Sequence, residues 1–447
     1  MARKPERSIE ELYENDPERA DAIVFGRRTG VGRRGFLKGA GLAAMGAAVG
    51  GTIPFAGRMP GGMIPEALAQ AAPGAAPAGP KILKFDGKQD VLVVLGEKPL
   101  VAETPEHHLD DDTTPNSKFF IRNNGGLPEP PKDPDAWKLT IDGEVNNPLE
   151  ITLGDLKKRF QPVDSYMVLE CGGNGRAQFN PPARGNQWTN GGVGCARWTG
   201  VRLRDVLQAA GLKSTAVHTG HMSADPHLSG EPGKLTTSRG VPIAKAMEEH
   251  SLIVWGMNGE PLPNVHGFPV RLVIPGWPGS VSNKWLNRIW VRDKVHDGPG
   301  MGGTSYSVAI KPMIPGGKAD NKNFRSLESM PVRALVTSPA NGTELPAGTR
   351  ELNVRGKAWA GDVAVSRVDI SVDFGATWQP TQLTQPRNRY DWYRWQAKVK
   401  VPSEGYYEVW ARGTDQNGKM QPHLAGNWNP QGYGANAMHR VALLIPS

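Results

Sequence analysis

The 447-residue chain carries 52 Lys and Arg against 44 Asp and Glu, a net charge of +8, with 38% hydrophobic and 21% charged residues; this supports about two to four packed domains and excludes wholesale disorder. Glycine (55) and proline (39) are abundant without a three-residue period, which excludes collagen and suggests a turn-rich β protein. Two cysteines exclude a disulfide scaffold, a four-cysteine zinc site and a cysteine-ligated iron–sulfur cluster, and no run of about 18 apolar residues is available to span a membrane.

The N-terminal segment reads as an address. Arg33-Arg34-Gly35-Phe36-Leu37-Lys38 precedes a weakly apolar Gly/Ala run from Gly39 to Gly51, and Ala67-Leu68-Ala69 supplies a small-x-small cleavage pattern. Charged region, short apolar region and cleavage site follow in secretory order, and the paired arginines resemble a twin-arginine export signal. Residues 1–69 are expected to direct the folded chain to the periplasm, and the Ala/Pro/Gly-rich 70–80 to form a flexible leader. The alternative is a short amphipathic helix with a chance arginine pair. No Lys/Arg block is interleaved with aromatics, so nucleic acid is not an expected partner. A mild positive charge suits an anionic substrate or a phosphate-bearing cofactor.

Further along, Trp137 to Leu149 opens with strand-like alternation, and Thr152 caps a short helix running into Phe160. Residues 164–171 predict a strand ending at a glycine-rich loop, and Val201–Ala210 a helix stopped by Gly211. A short helix at 241–249 and a strand at 268–274 follow. The character changes near residue 326, with a boundary placed in Lys318–Met330. Strands at 332–337, 351–359, 363–373, 392–401, 405–413 and 438–445, with a hairpin connection at 373–378, predict a β-sandwich of about 115 residues.

The segment richest in chemistry is Glu170-Cys171-Gly172-Gly173-Asn174-Gly175-Arg176. A cysteine at a strand end before glycines puts a thiol where backbone can approach a ligand, and Arg176 would favour the thiolate, the form that binds metals. Read from the residues alone, three roles stay open for it: a buried structural thiol, a Cys171–Cys195 disulfide, and a reactive ligand. Four further segments bear on the choice: Phe119-Phe120-Ile121-Arg122-Asn123-Asn124; Met257-Asn258-Gly259-Glu260-Pro261-Leu262-Pro263 with His266-Gly267-Phe268-Pro269-Val270-Arg271; Lys284-Trp285-Leu286 with Tyr306; and Cys195-Ala196-Arg197-Trp198.

In this order and spacing the segments resemble the sulfite oxidase family of molybdenum enzymes. The resemblance implies an α+β fold, with a mixed molybdopterin-binding catalytic domain over 81–325 and an immunoglobulin-like dimerisation sandwich over 326–447. It implies a molybdenum–molybdopterin cofactor with Cys171 as the protein ligand to the metal; a soft thiolate suits a metal already held by dithiolene sulfurs. Asn124, Arg197, His266, Arg271 and Lys284 would hold the pterin and its phosphate, and Arg122, Arg176 and Tyr306 would face the substrate. Trp198 is expected to pack. Guanidinium groups suit a small oxyanion such as sulfite.

Two positions depart from the animal members: Asn124 stands where they carry histidine, and Gln431 in Trp428-Asn429-Pro430-Gln431-Gly432-Tyr433 where they carry arginine. Ser223 and Asp225 both fit the place of a family acidic residue and are left unassigned. With no haem-binding segment and no Cys-x-x-Cys-His in the sequence, electrons are expected to leave to a separate cytochrome c. The expected activity is sulfite dehydrogenation by a homodimer. The alternatives are a sulfane dehydrogenase subunit of a thiosulfate-oxidising system and a non-catalytic exported binding protein with Cys171 and Cys195 bridged.

Overall fold

The computed structural model describes residues 79–447, so the expectations for 1–69 and for most of 70–80 lie outside the described residues. Among those described, strands dominate and helices are few and short. The capping logic of the sequence is visible in the helix Leu153–Arg159: the Thr152 hydroxyl accepts from the Asp155 amide at 3.1 Å, and Lys157, Lys158 and Arg159 occupy the last turn, where cations complement the helix dipole. The helix Leu203–Ala210 ends, as predicted, at Gly211, whose left-handed φ of 70° lets its amide reach back to Leu207.

Two elements are shorter than their patterns suggest. Only Ile243–Ala246 of 241–249 is helical; the chain tightens at Glu248, whose amide donates to Lys245 O, and Lys245 and Glu248 are drawn to Asp362 and Arg389 of the sandwich. The strand predicted over 268–274 narrows to Arg271–Val273, preceded by Pro269, which has no amide to donate to a ladder.

The first half of the described chain holds two principal sheets. One runs Glu260–Pro261, Leu252–Met257, Val193–Arg202, Val163–Glu170, with Arg271–Val273 also paired to Leu252–Met257; the other runs Leu149–Thr152, Lys138–Gly143, Leu286–Arg292, His218–Ser223. Ile141, Leu272 and Ile289 from the sheets and Val206 and Leu207 from a helix close one core between them. Beyond residue 330 the strands Arg333–Ser338, Glu351–Trp359, Tyr393–Lys400 and Gln382–Thr384 form one sheet. A second sheet runs Thr343–Glu344, His439–Ile445, Gly405–Asp415, Val365–Ser371 and Gln379–Pro380. The two share a core of inward residues such as Val354, Trp395, Val409 and Leu443, a two-sheet sandwich whose long strands match their sequence patterns closely.

The sandwich is keyed into the first half by buried polar contacts. Arg333 Nε lies 2.6 Å from Glu170 Oε1, with both side chains almost fully buried, in an ion pair whose N–H is poorly aligned. Trp359 Nε1 donates to the other carboxylate oxygen at 2.8 Å. Lys245 binds Asp362 at 2.6 Å, and Trp277 donates to the same carboxylate. Apolar residues from both halves, among them Val168, Leu335 and Trp392, pack around Cys195.

Removing one partner of a buried pair strands the other charge, at a cost of about 3–5 kcal/mol, whereas exposed pairs contribute about 1 kcal/mol or less. Glu170→Ala is therefore expected to shift the chemical-denaturation midpoint strongly downward. Glu150→Ala, which breaks the exposed pair with Lys138, should leave it nearly unchanged.

Candidate active site

Strand Val163–Glu170 ends with four consecutive buried residues and delivers Cys171 to the floor of an open cavity. The loop after it is held from within. The Cys171 amide donates to Gly192 O, the Asn174 amide to Cys171 O, and the Asn174 side chain bridges Glu170 Oε1 and the Gly192 amide. The glycines serve mainly this packing: a Cβ on Gly173 would stand 2.4 Å from the Arg176 guanidinium, and Gly175 has φ 81° with Arg333 and Ala435 O against it. Only Gly172 of the three lines the cavity.

The Asn258-Gly259 pair, both with positive φ, turns Leu252–Met257 back onto Glu260–Pro261 as a two-residue hairpin. The Asn258 side chain accepts from the Arg197 amide and donates to Thr114 O and Asn116 Oδ1, which fixes the loop leading to Phe119. This turn carries the chain to His266. At Gly267 (φ 107°) a Cβ would collide with Lys284 at 2.9 Å, so the missing side chain lets His266, Arg271 and Lys284 converge.

His266 and Arg271 are buried, Lys284 is half-buried, and all three line the cavity. Arg271 donates from Nη1 to His266 O and from Nη2 to Ser282 O, both at 3.0 Å, and stacks over Trp198; Trp198 packs as expected. Lys284 Nζ binds Val265 O at 2.9 Å and Asn123 Oδ1. Burial pushes Arg271 down to about 9. Burial, then neighbouring Arg271, holds Lys284 well below its ordinary value, and burial followed by Lys88 and Lys284 does the same to His266. Asp225, bonded to the Thr236 hydroxyl at 2.5 Å, is the one carboxylate lining the cavity among the described residues.

Arg122, Asn124 and Tyr306 complete the wall. Tyr306 is held at φ 46°, its hydroxyl 3.5 Å from Asn124 Oδ1 and its ring stacked on Tyr433 at 4.9 Å. Seven of the nine expected site residues thus border one cavity; Arg176 and Arg197 do not. Arg176 lies behind the floor, donating to Gln431 O and Asn186 O and facing the Tyr433 ring. Arg197 packs at the Asn258-Gly259 turn, where a Cβ on Gly259 would meet its guanidinium. The two cysteines are free, and the Cys195 thiol donates to Asp391 Oδ1 at 3.2 Å, so the bridged alternative is not what the chain adopts.

The sequence reading missed Lys88, bonded to His266, and Arg239. The latter is 1% exposed, 4.5 Å from the Tyr306 ring, bonded to Ser280 and without a carboxylate partner among the described residues. Ser223 and Asp225, left unassigned, both line the cavity.

A soft thiol at the floor, a wall of cations answered by one carboxylate, and, beside Lys284, a buried Asn123 Nδ2 with no acceptor among the described residues fit an anionic, phosphate-bearing group that holds its metal through sulfur. The comparisons agree. Residues 125–299 match the oxidoreductase molybdopterin binding domain and 325–445 the Mo-co oxidoreductase dimerisation domain. The class is that of molybdopterin-dependent oxidoreductases. Chicken sulfite oxidase is 32% identical over 388 residues, 83% of either chain. Rat mitochondrial sulfite oxidase is 34% identical over 380 residues, 80% of this chain and 66% of the relative, so the chain spans about two thirds of the mammalian protein's length. The chain belongs to the sulfite oxidase family. Its fold also matches the sulfane dehydrogenase SoxCD from Paracoccus pantotrophus, with TM-score 0.65 and 24% identity over 85% of this chain and 94% of that one.

The unneutralised lysine has a measurable signature. Between its depressed folded value and the ordinary 10.5, the unfolded chain binds more protons than the folded one, so the Lys284 contribution grows more favourable as pH rises. In cofactor-free protein, the stability of wild type relative to Lys284→Met should climb as pH approaches 10.5 in urea titrations. A pH-independent difference would show that Lys284 already has a counter-charge.

Proposed function

We propose that this chain oxidises sulfite to sulfate at its molybdopterin centre and passes the electrons to a separate cytochrome c in the periplasm. The observation that carries this reading is the Cys171 thiol at the floor of a cation-lined cavity. Cys171 would hold the metal, and His266, Arg271 and Lys284 the pterin and its phosphate. When bound, the group supplies two-electron redox chemistry and oxygen-atom transfer.

The chain's own part is electrostatic. Arg122 offers planar donors to an oxyanion and offsets the desolvation of its charge. Tyr306, locked by Tyr433 and Arg239, presents a hydroxyl to the same space at fixed orientation. Arg176 holds the wall that carries Tyr433. Sulfite and water yield sulfate, two protons and two electrons, and the electrons leave singly. We read the C-terminal sandwich as the immunoglobulin-like module that pairs two copies, a reading supported by the dimerisation-domain match.

A second reading, oxidation of sulfane sulfur on a carrier protein, is favoured by the neutral Gln431. Its side chain donates to Thr304 and its carbonyl accepts from Arg176, so it adds no charge behind the Tyr433–Tyr306 stack for a free anion. Steady-state turnover of free sulfite with cytochrome c by the purified chain supports the first reading; strict dependence on a carrier protein supports the second.

Cys171→Ser is expected to abolish molybdenum-dependent turnover, and full retention would overturn the ligand assignment. Arg122→Met should raise KM for sulfite about 10–100-fold, since a hydrogen bond to a charged group contributes about 1.5–3 kcal/mol.

A further inference from the structure

Lys88 lies upstream of the matched molybdopterin domain. It ends a tight turn in which its amide donates to Phe85 O at 3.0 Å and Gly87 supplies a φ of 73°. The turn sends its side chain inward, and Nζ meets three groups: Asn116 O at 2.5 Å, Phe119 O at 2.8 Å and His266 Nε2 at 2.6 Å. An ammonium has three N–H donors and no lone pair, so three acceptors match it fully, and the imidazole nitrogen that faces it must be the acceptor. The proton of neutral His266 then sits on Nδ1, which has no hydrogen-bond partner among the described residues. Phe119 presses on the ring at 5.4 Å in an edge contact and fixes its plane. Burial, then Lys88, Lys284 and Arg271 around it, hold His266 well below its ordinary value.

We propose that Lys88 is a positioning residue for the cofactor: by donating to Nε2 it fixes His266 as the Nδ1–H tautomer and turns the remaining nitrogen into a hydrogen-bond donor toward the pterin. This deepens the molybdopterin reading and rests on it. Burial lowers Lys88 to about 7, so the ammonium predominates in mildly acidic buffer.

The test is nitrogen NMR on histidine-labelled holoenzyme in such buffer, with the His266 signals assigned through His266→Gln. Wild type should show a protonated Nδ1 and an acceptor-type Nε2, and Lys88→Met a loss of that fixed pattern. Lys88→Met should also lose pterin on dialysis about tenfold or more faster, the scale at which residues supporting a ligand shell act, while Lys88→Arg, which keeps a donor, retains it. A protonated Nε2 in wild type would overturn the proposal even if Lys88→Met fails to fold. So would Lys88→Met with unchanged His266 signals and cofactor retention. Wild-type protein without molybdenum would instead overturn the molybdopterin reading, a result distinct from either.

Discussion

The architecture turns on one buried carboxylate. Glu170 immediately precedes Cys171, and its two oxygens bind Asn174 from the thiol's own loop, Trp359 from the sandwich and Arg333 across the junction. Arg333 in turn reaches the carbonyls of Asn174 and Ala435. The position of the thiol is thus fixed jointly by both halves of the chain. Such a network fails as a unit, because each member left alone is a polar group stranded in an apolar setting.

The cavity is arranged in the opposite way. Its cations are satisfied by carbonyls and amides, groups that hold a cation without cancelling it. Such a site keeps a positive potential in a low-dielectric pocket, where an incoming anion gains more than it would in water. Arg239 lies behind this wall: buried against the Tyr306 ring and with no carboxylate partner among the described residues, it adds positive charge near a lining where Asn124 contributes none.

Much of this was legible in the sequence. The first half of Glu351–Trp359 and much of Tyr393–Lys400 alternate because one face of each is buried, while Arg333–Ser338 reads as a buried run, and 351–359 was read to the residue. The cavity residues were legible as an ordered set of motifs, which the fold closes around one space. Their reasons were less legible. The glycines after Cys171 yield to Arg176 and Arg333, and the Asn258-Gly259 turn braces a loop from another part of the chain. Lys88 was invisible because its partner lies 178 positions away, and no local pattern announces a turn that aims one lysine at one imidazole. Arg176 and Arg197 were placed at the site by the family resemblance; here their side chains contact carbonyls and a hairpin instead.

The second cysteine carries a quieter meaning. Its proton is shared with Asp391, and burial, then that carboxylate, keeps the thiol from ionising. Held as a buried, protonated thiol, this sulfur is poorly placed to form mixed disulfides or to compete for the metal during loading. With Cys171 bound to the metal in the loaded protein, neither cysteine thiol would be open to alkylation.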